Sequence, residues 1–151
     1  MFRDVRAAGM TSAGQPRAGV GPAHSFLAFD FSLRRVGVAS GNDLTCSASP
    51  LGTLVEQGEA RFDAIAALIK EWRPDALVVG VPRHPDGVAH DNTLRAQRFA
   101  RQLNGRFGLP VHEVDERYTT TQARSAGHAD LDAAAAALIL EQFLNPIEAR
   151  P

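Results

Sequence analysis

An aspartate interrupts an apolar segment near the start of the chain. The run FLAFDFS, residues 26–32, is typical of a buried strand, and Asp30 lies within it. A carboxylate taken out of water must be hydrated, paired or balanced by a cation, because burying it alone is costly. The plain alternative is an aspartate bonded to the backbone or to Arg34 or Arg35. We favour a metal ligand, because a strand interior offers few free N–H donors.

Two neighbouring acids end a second strand-like run. Asp115 and Glu116 close the segment VHEVDE, residues 111–116. Neighbouring strand residues point to opposite faces of a sheet, so one member of the pair is a better match for Asp30 than the other. We take Glu116 as the second acid and keep Asp115 as its rival. A solvated strand end, with Glu116 paired to Arg117, is the structural alternative.

A third acid lies at the start of the last helical segment, LDAAAAALILEQFL, residues 131–144. Asp132 falls in the first turn, where the helix dipole stabilises any carboxylate. Asp130 is suited to the N-cap position. On these residues alone, a structural role is favoured for both aspartates.

Carboxylates from different elements are what phosphodiester hydrolysis requires. Two divalent ions about 3.5–4 Å apart activate water, neutralise a phosphoryl oxygen and stabilise the leaving group. Mg²⁺ prefers hard oxygen ligands and is typically held by a few carboxylates. The candidate catalytic residues and metal ligands that the residues themselves favour are therefore Asp30 and Glu116, and the expected cofactor is Mg²⁺ or Mn²⁺, with two ions bound.

The period of the apolar residues predicts the elements that position these acids. The predicted order is βββαβαβα, a mixed five-stranded α/β sheet flanked by helices. A turn at 41–43 is expected to separate the second and third strands. The strands are predicted at 26–32, 35–40, 44–54, 76–82 and 111–116, and the helices at 62–72, 93–107 and 131–144.

Basic and polar residues near the expected site are candidates for substrate binding. Arg83 and His84 follow the fourth strand, in a loop that equally suits a plain polar turn. Arg117 and Thr119 flank the second acid, and Arg117 is the preferred phosphate ligand. Thr119 also begins a TTTQ capping box. Three arginines of the second helix are interpreted as a solvated face: Arg95, Arg98 and Arg106.

Length and composition indicate one ordinary globular domain. The 151 residues include one cysteine, so no internal disulfide forms and a cytoplasmic location is expected. No apolar run reaches the ~20 residues of a membrane span. We predict a disordered extension at 1–24, one domain at 25–146 and a tail at 147–151. The net charge of −1 argues against a strongly basic nucleic-acid binder but not against a nuclease.

Four stretches in order resemble one known family. They are LAFDFSLRRVGVASGN, ALVVGVPRHPDG, VDERYTT and DLDAAAAALILEQFL, which together span roughly residues 26–145. The chain is similar to the YqgF/RuvX family of Holliday-junction-resolvase-like nucleases linked to maturation of the small-subunit ribosomal RNA precursor. The resemblance implies a ribonuclease H-like fold with acids gathered around divalent metal. It also raises Asp132 to the third acid and leaves Asp130 as a cap.

This chain departs from the family pattern at two places. Ser32 stands where the family usually has glycine, and a basic loop that many relatives place before the last helix is absent. We therefore expect weak binding of nucleic acid through a few arginines.

The sequence thus predicts a metal-dependent nuclease that cuts structured nucleic acid. The expected substrate is the 5′ end of pre-16S ribosomal RNA, and a ribosomal particle is a possible partner. Branched DNA is the alternative substrate. A non-catalytic module that binds nucleic acid or ribosomes is the alternative from another functional class.

Overall fold

The computed structural model describes residues 24–82, 90–115 and 130–145. Within them the order of elements is βββαβαβα, as predicted. The strands are β1 (Ser25–Phe31), β2 (Val36–Asn42), β3 (Ser47–Leu54), β4 (Ala76–Val81) and β5 (Val111–Asp115). The helices are α1 (Gly58–Trp72), α2 (Asp91–Phe107) and α3 (Leu131–Leu144).

The five strands form one mixed sheet in the order β3-β2-β1-β4-β5. The first three strands are antiparallel neighbours, whereas β1, β4 and β5 run parallel. Short turns join the antiparallel strands, and helices make the crossovers between parallel strands. This arrangement confirms the ribonuclease H-like fold that the resemblance implied.

Helices cover both faces of the sheet, but unequally. Helices α1 and α2 pack together on one face, over a core that includes Phe29 of β1 and Val79 of β4. The predicted apolar stripe of α2 faces this core, with Phe99 and Leu103 fully enclosed. Helix α3 packs on the other face, against Ala28. Alternate residues of each strand therefore belong to different layers.

Helix α3 lies unusually close to β2. The α3 face of β2 carries only small residues, Gly37, Ala39 and Gly41. The helix packs a run of alanines against them. A Cβ on Gly37 would lie 1.9 Å from the carbonyl oxygen of Asp132, and one on Gly41 would lie 2.9 Å from Leu140 Cδ2. Gly37 is therefore required by the close approach of the helix, whereas Gly41 is required more by β3, because its Cβ would lie 2.5 Å from the Ser47 carbonyl oxygen.

The boundary between β2 and β3 differs from the prediction. Strand β2 continues through Asn42, and the turn follows it. The Asn42 side-chain oxygen accepts hydrogen bonds from the backbone N–H groups of Leu44 and Thr45, each at 2.9 Å. The side chain of Asn145, after α3, donates to the carbonyl oxygen of Cys46 in this turn at 2.8 Å. Asn42 is therefore the last residue of β2, and its side chain stabilises the turn that follows, whereas the prediction placed Asn42 within the turn.

Both predicted helix stops are confirmed. Helix α1 ends at Arg73, whose left-handed backbone (φ 49°) donates to Ile69 before Pro74. Helix α2 ends at Gly108, which has φ 68°. The TTTQ capping box lies outside the described residues. No helix in the described ranges is long and apolar enough to cross a membrane.

Candidate active site

Asp30 faces the α3 side of the sheet. It follows Phe26 and Ala28 in the alternation of β1, and both of those residues pack in the α3 layer. Its register partners on the two adjacent strands are Gly37 and Gly80. Because neither partner has a side chain, the strands beside Asp30 leave its carboxylate uncrowded.

The first turn of α3 is fixed by Asp130. As predicted, Asp130 is the N-cap, and its carboxylate accepts the backbone N–H of Ala133 at 3.0 Å. The hydroxyl of Thr53, at the end of β3, donates to the same carboxylate oxygen. The cap therefore ties the start of the helix to the sheet and sets the position of Asp132.

The contact at Gly37 brings the two described candidate acids together. Gly37 is the cross-strand partner of Asp30, and its missing side chain points at the backbone of Asp132. Directly opposed residues of an antiparallel pair have Cα atoms about 4.5–5.5 Å apart and point to the same face. Asp30 and Asp132 therefore share one face and one end of the sheet.

The rival second acid lies on the wrong face. Asp115 is in register with Val81, which belongs to the α1–α2 layer, whereas Val114 packs in the α3 layer. Asp115 is therefore directed away from the face that holds Asp30. Glu116, the preferred second acid, lies outside the described residues. In the described ranges no three His, Cys, Asp or Glu residues group as a metal site.

An arginine contacts Asp132. Arg35 Nε lies 3.1 Å from Asp132 Oδ2, and the two side chains are 60% and 27% exposed. The sequence suggested Arg35 as a partner for Asp30, but it did not foresee this pair. The short turn between β1 and β2 places the guanidinium beside the first turn of α3.

Ser32 closes the turn that carries Arg35. Its hydroxyl donates to the Arg35 carbonyl oxygen at 2.7 Å and accepts the Arg35 N–H at 3.2 Å. Its own N–H donates to the same carbonyl oxygen at 2.9 Å. Ser32 is not among the residues with positive φ, so serine in place of glycine needs no strained backbone here.

A buried arginine of α1 also stabilises this turn through hydrogen bonds. Arg61 of α1 donates to the carbonyl oxygens of Leu33, at 2.9 Å, and Glu56, at 3.2 Å. Its guanidinium lies over the Phe31 ring, 5.5 Å from the centroid. Burial lowers the pKa of Arg61 from its usual value, although the group stays charged at neutral pH. No sequence pattern indicates this role, because Arg61 lies in an otherwise ordinary amphipathic helix.

The other basic candidates are distributed as follows. Arg83, His84, Arg117 and Thr119 lie outside the described residues. Arg95 and Arg98 are exposed on α2, as predicted for a solvated face. Arg106 is instead bound to Glu59 of α1 by two hydrogen bonds, of 2.8 and 3.0 Å, and stacks on Phe62. This pair raises the pKa of Arg106 and lowers that of Glu59.

The donor chemistry of the Asp30 face suits a hard divalent cation. Asp30 and Asp132 supply carboxylate oxygens from a strand and from a helix start, and glycines flank Asp30 on both adjacent strands. Carboxylates are the ligands that Mg²⁺ and Mn²⁺ prefer. The two described residues therefore fit part of a metal site that needs further oxygen donors from elsewhere.

Comparison with known proteins assigns the family. The model of RuvX, described as a Holliday junction resolvase, matches residues 24–146. The chain belongs to the RuvX family. A relative from Albidiferax ferrireducens, named "Putative pre-16S rRNA nuclease", is 65% identical over 123 residues, covering 82% of this chain and 79% of the relative. A Polaromonas protein of the same name is 61% identical over 123 residues, covering 82% and 89%.

Among solved structures, Thermus thermophilus RuvC in complex with a Holliday junction substrate resembles this RuvX family member at a TM-score of 0.48. Its sequence identity is 17%, over 80% of this chain and 93% of RuvC. Membership of a nuclease family follows from the sequence matches, and the fold follows from the strand order.

Proposed function

We propose that this protein is a divalent-metal-dependent nuclease that cleaves structured RNA at the 5′ end of the 16S ribosomal RNA precursor. The observation that carries the proposal is the contact of Gly37 with the start of α3, which gathers Asp30 and Asp132 at one end of one sheet face. The names of the relatives support a ribosomal RNA precursor as the substrate.

Asp30, Glu116 and Asp132 form the proposed catalytic and metal-binding set. Asp115 faces the other layer, which favours Glu116, the next residue of the chain, as the second acid. Bound Mg²⁺ or Mn²⁺ ions would supply an activated water and neutralise charge on the phosphate. The three carboxylates would hold these metal ions. Arg83, Arg117 and Thr119 are proposed to bind the substrate backbone.

The sheet fixes the backbone of Asp30. It is paired on both sides, with β2 and with β4, so its Cα cannot shift without disturbing two strands. Asp132 depends instead on the Asp130 cap and on the close packing of α3. Positioning of this kind is the contribution that a protein makes to metal-assisted hydrolysis.

Cleavage of branched DNA is the second candidate function, because the family model is described as a Holliday junction resolvase. The same acids would serve both substrates, since the bond hydrolysed is a phosphodiester in each case. Substrate preference therefore has to be measured directly.

The test compares cleavage of a pre-16S 5′-end RNA and a four-way DNA junction in Mg²⁺, Mn²⁺ and EDTA. Asp30→Asn and Asp132→Asn should each lower the cleavage rate by at least about 100-fold while the protein stays folded. Asp63→Asn, which removes an exposed acid from α1, is the matched control and should keep full activity. Cleavage that persists in EDTA, or in Asp30→Asn, would refute the mechanism.

A further inference from the structure

The turn between β1 and β2 is anchored at every residue, and it carries two exposed arginines, Arg34 and Arg35. The Arg35 backbone is held by Ser32, the Leu33 carbonyl by Arg61, and the Arg34 carbonyl by Gln57 Nε2 at 2.7 Å. Exposed turns are normally among the more mobile parts of a domain, and these hydrogen bonds restrain this one. The backbone that carries Arg35 is therefore held in a defined place.

The side chain that this turn places at the acids is Arg35. Its guanidinium contacts Asp132 through Nε and remains 60% exposed, so most of its surface faces solvent at the end of the sheet. Arg106 differs from Arg35, because two hydrogen bonds to Glu59 and a stacked Phe62 ring hold its guanidinium within the fold. Arg35 has one ion pair and no stacked ring among the described residues, and a guanidinium group carries five N–H donors that can bind phosphate in a forked geometry.

We propose that Arg35 is a phosphate ligand for the nucleic-acid substrate, held beside the catalytic acids by Asp132 and positioned through Ser32 and Arg61. This inference rests on the proposed function and adds a residue from the first turn of the sheet to the substrate-binding set. Asp132 acts as the partner that orients the guanidinium, and a backbone phosphate of RNA or DNA takes its remaining donors. Ser32 and Arg61 are positioning residues, because they act through the turn backbone.

Arg34 supplies the matched control. It is adjacent in sequence, carries the same charge and is exposed, but in the described part of the chain its side chain forms no ion pair. Binding that depends only on local positive charge responds equally to the loss of either arginine. Binding that depends on the guanidinium at Asp132 responds to Arg35 alone.

The experiment measures binding of an RNA hairpin and of a four-way DNA junction across a salt series, with Ca²⁺ present so that no cleavage is required. Arg35→Ala should flatten the plot of log affinity against log salt by about 0.7–0.9, the value for one phosphate contact. Arg34→Ala should leave the slope unchanged, and Arg35→Lys should restore most of it. Ser32→Ala should weaken binding in the wild-type background but have no effect when residue 35 is already alanine.

Several results would overturn the inference. They are an Arg35→Ala slope equal to that of the wild type, an equal loss in Arg34→Ala, and a Ser32→Ala effect that persists without Arg35. The inference fails if the Arg35→Ala slope matches the wild-type slope on both the RNA hairpin and the DNA junction. A difference on one substrate alone identifies which backbone Arg35 contacts. A wild-type protein that binds but does not cut would refute the nuclease and leave the Arg35 measurement interpretable.

Discussion

Asp30 and Asp132 reach the same end of the sheet by different physical routes. Asp30 is placed by strand alternation, which is a local property of β1. Asp132 is placed by a helix that contacts β2 only because Gly37 has no side chain. The first position is thus robust to changes elsewhere, whereas the second depends on the packing of a whole element.

The identity of the second acid gives a prediction at the residue scale. Glu116→Gln should lower cleavage by at least about 100-fold, while Asp115→Asn should lower it by less than about tenfold. The reason is that Asp115 is in register with Val81 and faces the α1–α2 layer. The two variants are compared by cleavage rate in Mg²⁺, with melting temperature as the check on folding. A larger loss in Asp115→Asn would show that β5 contributes its acid from the other face.

At the scale of elements, the contact between β2 and α3 is the feature on which the site depends most. The strand offers Gly37, Ala39 and Gly41, and the helix offers alanines, so the two backbones approach more closely than ordinary side chains allow. Packing of this density tolerates little added volume. A single methyl group at the right place should therefore move Asp132.

Gly37→Ala is the variant that tests this dependence. Its Cβ would lie 1.9 Å from the Asp132 carbonyl oxygen, so the start of α3 must shift. We expect a loss of about 1–3 kcal/mol in the free energy of unfolding, measured in urea, together with a large loss of cleavage. Gly105→Ala is the control, because a Cβ there meets nothing within 4 Å.

In that control, alanine inside helix α2 should raise the free energy of unfolding by about 0.5–1 kcal/mol. Cleavage should remain unchanged. If Gly37→Ala were as stable and active as the wild type, α3 would not be held against β2 as described.

The sequence predicts the elements better than it predicts their contacts. The order βββαβαβα follows from local apolar periods and from helix-ending residues such as Pro74 and Gly108. Elements that depend on such local patterns form as predicted. The end of β2 was missed because the Asn42 side chain, not the backbone pattern, closes the turn. The alternation of small residues in VGVASG, together with the alanine run, did contain a signal for close helix packing.

The site shows the same division. Asp30 was proposed from its own strand, and its role as a metal ligand stays a prediction. Asp130 was correctly assigned as a cap from its place before the helix. The pairing of Arg35 with Asp132 joins residues nearly a hundred positions apart, and no local pattern encodes that distance. Arg61 was missed for the same reason, because its partners lie in a different turn.

On the scale of the whole molecule, the net charge bears on how this protein is expected to bind nucleic acid. The net charge is −1, and Arg106 is already committed to Glu59. The charge gives no support for a broad basic binding surface, and we expect a few arginines near the acids to provide the binding.

The salt dependence of binding tests this expectation for the whole protein. Two or three phosphate contacts should give a shallow slope of about −1.4 to −2.7 for log affinity against log salt. Arg117→Ala should reduce its magnitude by nearly one, and Arg98→Ala should not change it. A slope equivalent to six or more contacts, or a loss through Arg98 alone, would place the binding surface on α2.

Helix α3 is fastened at both ends to the antiparallel part of the sheet, through Asp130 to Thr53 of β3 and through Asn145 to Cys46 in the turn between β2 and β3. During synthesis, the strand that carries Asp30 leaves the ribosome about a hundred residues before Asp132 does. Until α3 emerges and docks, the nascent chain holds Asp30 without its partner acid. If Asp132 is a catalytic acid as proposed, an unfinished chain should be unable to cut RNA, and nuclease activity should arise only once α3 has docked.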